Sequence, residues 1–120
     1  MKKILIVEDN DLNRDMLTRR LERQGFEVLA AEDGPKGVHL ALFERPDVIL
    51  MDVALGDMDG WEASTLIKRN PATANTPIIV LTAHALESDR QRSKDIGCAD
   101  FDTKPVDLQR LLGKINACLA

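Results

Sequence analysis

Val48-Ile49-Leu50-Met51-Asp52 is a run of four apolar residues, two of them β-branched, closed by a carboxylate. So short and uninterrupted a run is the pattern of a strand covered on both faces, as in parallel sheets. Asp is disfavoured within a strand and costly to bury alone, so Asp52 is expected at the strand's end, against solvent or a cation. Open α/β sheets place their chemistry at the carboxyl ends of their strands. The pattern recurs upstream, where Ile4-Leu5-Ile6-Val7 stops at Glu8-Asp9-Asn10-Asp11. Downstream, Pro77 introduces Ile78-Ile79-Val80-Leu81, which finishes at Thr82-Ala83-His84.

Helical spacing fills the intervals. Leu12, Met16, Leu17 and Leu21 recur at helical period and Gln24-Gly25 supplies the stop. Phe26 to Ala31 is a shorter strand, weakened by Glu27 and placed nearer an edge. Gly34-Pro35 opens a helix in which Val38, Leu42 and Phe43 are expected to face inward, and Arg45-Pro46 ends it. A turn-rich loop, Leu55 to Gly60, leads into a helix from Trp61 to Asn70, followed by a polar connection to Pro77. Glu87 to Asp95 reads as a helix of almost wholly polar residues. With Leu86 and Ile96 as its anchors and Gly97 as its stop, it should be weakly held and able to shift. Ala99 to Asp102 is a short strand, followed by Thr103-Lys104-Pro105. The last helix carries one apolar stripe, Leu108, Leu111, Leu112, Ile115 and Leu119, with Asp107 as its N-cap.

A strand–helix unit repeated five times within 120 residues, with no linker or low-complexity tract, predicts one α/β domain spanning 1–120. The expected sheet is five-stranded and parallel, in the order 2-1-3-4-5, with helices on both faces. Right-handed crossovers bring every strand's C-terminal end to the same rim, so Glu8, Asp9, Asp52, Thr82 and Lys104 should gather there. A net charge of −4 without a basic block argues against nucleic-acid binding. No apolar stretch reaches membrane-spanning length and the apolar run after Met1-Lys2-Lys3 is too short for a signal peptide, which predicts a cytoplasmic protein. Cys98 and Cys118 form no metal-like spacing and read as two small buried hydrophobes.

Carboxylates crowded on one rim repel one another and call for a cation, and hard oxygen ligands suit Mg²⁺, with Mn²⁺ as a substitute. A carboxylate beside such an ion can act as nucleophile toward a phosphoryl donor. Lys104 would add a mobile point charge and Thr82 a hydroxyl donor. Taken singly, each has a plainer reading: strand-end solvation for the acids, a surface lysine, a strand-terminating threonine, a core phenylalanine at 101. Their shared rim is what favours phosphoryl chemistry. Asp57 and Asp59 read as turn residues, His84 as a solvated loop histidine, and Trp61 as packing on the loop or exposed for a partner.

Glu8-Asp9, Asp52, Thr82-Ala83 and Lys104-Pro105, each following its own strand, resemble the receiver domain of two-component response regulators over essentially the whole chain. The resemblance implies a flavodoxin-like receiver fold of the single-domain, stand-alone kind, with Asp52 as phosphoacceptor. It implies Mg²⁺ held by Asp9, Asp52 and the backbone carbonyl of Ala54, with Glu8 acting through a metal-bound water. Thr82 and Lys104 would contact the phosphoryl group, Phe101 would be the switch aromatic, and Lys104-Pro105 would be a cis peptide. This chain departs from the family pattern at Gly56, where proline is usual, and at Phe101, where tyrosine is frequent. Ala54 and His84 stand where the family tunes dephosphorylation.

By this resemblance the protein accepts a phosphoryl group from a sensor histidine kinase or a histidine phosphotransfer protein. It then alters the face made by its fourth helix, fifth strand and fifth helix, and so controls an unidentified downstream protein target. No separate substrate turnover is expected, hence no enzyme in the usual sense. With the final helix running to Ala120, no output domain is expected, and the unmodified chain should be a monomer, dimerisation remaining open to the phosphorylated form. Three rivals compete. A Mg²⁺-dependent aspartyl-phosphate phosphatase of the haloacid dehalogenase type would want an Asp at position 54. A flavin binder would need a phosphate loop where Glu8-Asp9-Asn10-Asp11 would repel a phosphate. A scaffold that is never phosphorylated would have no use for the full set of rim residues.

Overall fold

A computed structural model describes residues 1–84 and 86–120. Its elements alternate as β1 (Lys3–Val7), α1 (Asp11–Arg23), β2 (Glu27–Ala31), α2 (Gly34–Glu44), β3 (Val48–Asp52), α3 (Gly60–Arg69), β4 (Ile78–Thr82), α4 (Glu87–Ile96), β5 (Asp100–Thr103) and α5 (Leu108–Leu119). The strands form one sheet in the order β2-β1-β3-β4-β5, and every pairing is parallel. The weak second strand is therefore an edge, as its Glu27 suggests.

Strand alternation divides the core into two layers. Leu5, Val7, Ile49, Met51, Ile78 and Val80 meet Ala41, Trp61, Ala63 and Ile67 of α2 and α3. Ile4, Ile6, Val48, Leu50, Ile79 and Leu81 meet Leu17 and Leu21 of α1 and Leu111 and Ile115 of α5. Because β1, β3 and β4 are covered on both sides, their apolar runs are continuous in sequence. Trp61 belongs to this packing and is 5% exposed, so it is not presented to a partner.

Four helices start on a side-chain cap: Asn10, Asp33, Asp59 and Asp107 each accept a hydrogen bond from the backbone N–H three residues on. At the start of α4 stands Leu86, which makes no such bond.

Phe43, expected to face inward, points outward, and so do two of the helically spaced apolar residues of α1. Leu12 is 80% exposed, Met16 45% and Phe43 67%. The buried stripe of α1 runs through Leu17 and Leu21, and one turn before Leu17 it reaches Arg14, leaving Leu12 on the far side of the helix. In α2 the inward positions are Gly34, Gly37 and Ala41. Phe43 lies two residues past Ala41 and stacks on His39 instead, ring centroids 4.4 Å apart. Leu86 is likewise 58% exposed and is no anchor for α4. Cys98 and Cys118 are free thiols, each half-buried rather than buried. The Lys104–Pro105 peptide is cis.

Candidate functional site

Four strand ends converge at the C-terminal rim, those of β1, β3, β4 and β5. β1 hands Glu8 and Asp9 to the rim immediately after Val7, and the Glu8 N–H donates to the Ala31 carbonyl at 3.0 Å, which keeps this turn in register with β2. Arg14 Nη1 donates to the Glu8 carbonyl at 2.9 Å, and its other nitrogen pairs with Asp11. The neighbouring strand β3 delivers Asp52, paired in register with Leu81 of β4. The Lys104 N–H donates to the Thr82 carbonyl at 2.8 Å, which holds the loop after β5 over the same rim.

Glu8, Asp9 and Asp52 each offer a carboxylate oxygen, and these oxygens lie within 4.8 Å of one another. Glu8 and Asp9 are neighbours in the sequence and Asp52 lies far from both; the β1–β3 pairing brings it beside them. Lys104 Nζ stands 2.8 Å from Asp52 Oδ2 and 3.5 Å from Glu8 Oε1. Asp52 is 1% exposed. It therefore meets a cation and not solvent, which resolves the two options left by its position at a strand end. The Ala54 N–H donates to Asp52 Oδ1 at 3.1 Å. A β-carbon at Gly60 would collide with the Asp52 carbonyl oxygen, so α3 can begin against the acidic strand only with glycine there.

The charge at the rim is unbalanced. Lys104 Nζ is close to Asp52 Oδ2 but lies off the direction of a hydrogen bond, so this buried oxygen has an ion-pair partner and no directed donor. Burial, reinforced by the Asp52 carboxylate, pushes the Glu8 carboxyl up to about 7, although the Asn10 N–H and Lys104 favour its charged form. Burial alone would depress the Lys104 ammonium; Asp52 and Glu8 together reverse that and hold it above its ordinary value. Lys104 pairs with two of the three carboxyls, Glu8 keeps its proton toward neutrality, and Asp52 Oδ2 has no directed donor. That oxygen-rich donor set fits a hard divalent cation such as Mg²⁺.

Thr82 reaches the rim, but its hydroxyl is occupied locally. Oγ1 donates to the His84 carbonyl at 3.1 Å and accepts from the His84 N–H at 3.1 Å. Phe101 lies half-buried on β5, beside Arg90 of α4 and Lys114 of α5. Arg14, which ties down the acidic loop, leaves one signal in the sequence, its place one helical turn before Leu17 on the buried stripe of α1. Asp102 is a second buried carboxylate, 3% exposed. It accepts from Arg110 Nε at 2.7 Å and from the Thr103 N–H at 2.8 Å, joining β5 to α5.

A parallel five-stranded sheet with acids after β1 and β3, a hydroxyl after β4 and a lysine after β5 defines a receiver. Residues 4–116 match the response regulator receiver domain family, and the chain belongs to it. It is 42% identical over 120 residues to Protein PilH of Pseudomonas aeruginosa, covering 100% of this chain and 99% of that one. It is 33% identical to the polar-differentiation response regulator DivK of Brucella anthropi, covering 98% and 96% of the two chains. Among solved structures, chemotaxis protein CheY4 of Vibrio cholerae superposes with a TM-score of 0.93 at 30% identity, covering 98% of each chain. No helix among the described residues is long and apolar enough to cross a membrane.

Proposed function

We propose that this receiver takes a phosphoryl group onto Asp52 from a phosphohistidine, carried by a sensor histidine kinase or a histidine phosphotransfer protein. The carrying observation is the buried Asp52 carboxylate, set between two further acids and the Lys104 ammonium at 2.8 Å. A carboxylate oxygen attacks phosphorus, the phosphorus–nitrogen bond breaks, and the imidazole leaves as the O–P bond of an acyl phosphate forms. Asp9, Asp52 and the Ala54 backbone carbonyl would hold Mg²⁺, with Glu8 contributing through a bound water. The ion would supply neutralising charge for a phosphoryl group that three acids otherwise repel.

Lys104 follows the new negative charge from Asp52 to the phosphoryl oxygens. Thr82 must exchange its two contacts with His84 for one to the phosphoryl group. That exchange frees the space beside β4 into which Phe101 turns, and it biases a two-state equilibrium at α4, β5 and α5. The altered face binds a downstream protein. The chain assists its own phosphorylation and dephosphorylation and turns over no separate substrate.

Incubation with a small acyl phosphate and Mg²⁺, followed by intact mass, tests this directly. Wild type should gain one phosphoryl group, and Asp52→Asn should lose at least nine-tenths of that labelling, on the order of the rate loss expected when a nucleophile is removed. Undiminished labelling of Asp52→Asn would place the acceptor elsewhere.

A further inference from the structure

Phe101 does not pack against its two flanking helices through apolar contacts alone. The Arg90 guanidinium of α4 lies over its ring, 4.8 Å from the centroid, and Lys114 Nζ of α5 lies 5.5 Å from the same centroid. Lys114 also donates to the Phe101 carbonyl at 2.6 Å, which fixes that cation beside the ring whose backbone it holds. Asp100 and Asp102 lie 3.9 and 3.7 Å from the Lys114 ammonium, so its charge is shared, whereas among the described residues Arg90 has one distant carboxylate partner, Glu87 at 4.0 Å.

A second arginine of α4 repeats the arrangement on the opposite side. Arg92 lies 5.0 Å from the ring centroid of Trp61 at the start of α3. The buried position of α4 is Ser93, its start is uncapped, and its leading Leu86 is exposed. Its attachment therefore rests largely on two guanidinium–ring contacts and the half-buried Ile96.

We propose that Arg90 and Lys114 form a cationic latch on Phe101 that sets the resting side of the switch, and that Arg92 on Trp61 fastens the same helix without acting on that ring. The latch rests on the reading of Phe101 as the residue that turns inward. A cation over a ring face is attracted to it, and that attraction is lost when the ring withdraws. Each such contact therefore favours the half-buried ring position seen here, between α4 and α5, and makes the inward state rarer. By linkage, any phosphoryl mimic that prefers the inward state binds more weakly while the latch holds. Arg90 and Lys114 are in this sense positioning residues: neither touches the acids at the rim.

The test follows the ring resonances of Phe101, one of three phenylalanines in the chain, in wild type, Arg90→Gln, Lys114→Gln and the double variant. Spectra are recorded without metal and then during titration with beryllofluoride in Mg²⁺. The metal-free variants should show the Phe101 resonance displaced toward its position in saturated wild type. The apparent Kd for beryllofluoride should fall about 2–5-fold for each cation removed, the range that one exposed cation–ring contact supports. Lys114→Arg, which keeps a cation at the ring, should restore wild-type behaviour, and Arg92→Gln should leave the Phe101 resonance in place.

A variant that merely misfolds would lose affinity and not gain it. Coincident metal-free resonances, or an affinity unchanged or weakened in the double variant, would overturn the latch while the switch stands. Should the wild-type ring fail to move at saturation, the switch reading itself falls and the latch with it.

Discussion

The two helices flanking β5 are attached by different physics. α5 buries Leu111 and Ile115 completely and adds Leu108, Leu112 and Leu119 to the same apolar layer. Its start is capped by Asp107, and Arg110 and Lys114 tie it to β5 through Asp102. α4 is uncapped, buries Ser93, and lays two arginines on aromatic rings. Apolar burial is strong, non-directional and lost only when surface returns to water. Cation–ring contacts are weak and exchangeable with solvent. One edge of the sheet thus has a helix fixed to it and a helix that can be moved at small expense in free energy.

Truncation should expose that contrast most strongly. Ile115→Ala removes a side chain with no exposure and is expected to destabilise the fold by about 2–5 kcal/mol. Ile96→Ala, at a half-buried site on α4, should cost less than half as much. Urea unfolding of both variants measures the difference, and equal losses would mean that α4 is held by the core as firmly as α5.

A smaller effect separates the acidic rim from α4. The Glu8 carboxyl is raised from 4.5 to about 7 in the folded protein, so the folded state binds the extra proton between those values. Stability from this group is complete below about pH 4.5, declines as pH rises, and is gone above about pH 7. Glu8→Gln should therefore match wild type near pH 4.5 and exceed it at pH 8 in metal-free buffer, by roughly 1–3 kcal/mol. Mg²⁺ should stabilise wild type less at pH 5.5 than at pH 8, because protonation of Glu8 competes with the cation. Thermal unfolding with and without chelator reads both. The local opening of α4 should not follow this titration. If its amide protection rises in step with Glu8 protonation, the rim and α4 are one cooperative unit and α4 is not independently movable.

The central strands and the rim were legible because they rest on local pattern plus one topological rule. Val48 to Asp52 needed only its apolar run and terminal acid, and the strand ends of a right-handed parallel sheet have a single rim on which to meet. Helix faces were less legible. Leu12, Met16 and Phe43 are apolar and helically spaced, but which stripe faces the sheet depends on packing: Arg14 extends one stripe and Gly37 the other. The hydroxyl of Thr82 was legible in position and not in direction, since its bonds to His84 depend on the loop. Arg90, Arg92 and Lys114 left the least trace. On a polar helix a charged residue reads as solvated, and nothing local reveals that an aromatic ring from another element lies beneath it.

The smallest expected effect is the most discriminating for α4. Arg92→Ala removes a partly exposed contact on the Trp61 ring and should lower global stability by less than about 1 kcal/mol. If that contact fastens α4 locally, the loss should appear chiefly as faster amide exchange within Glu87–Ile96, with exchange in Leu108–Leu119 unchanged. The fluorescence of Trp61, the one tryptophan in the chain, should change in the same variant because a cation leaves its face. Uniformly faster exchange in both helices would show instead that Arg92 supports the whole fold through Trp61, which is buried in the layer shared by α2 and α3. A local effect at α4 alone would establish that this helix opens independently of the helix on the other side of β5, as a movable output face requires.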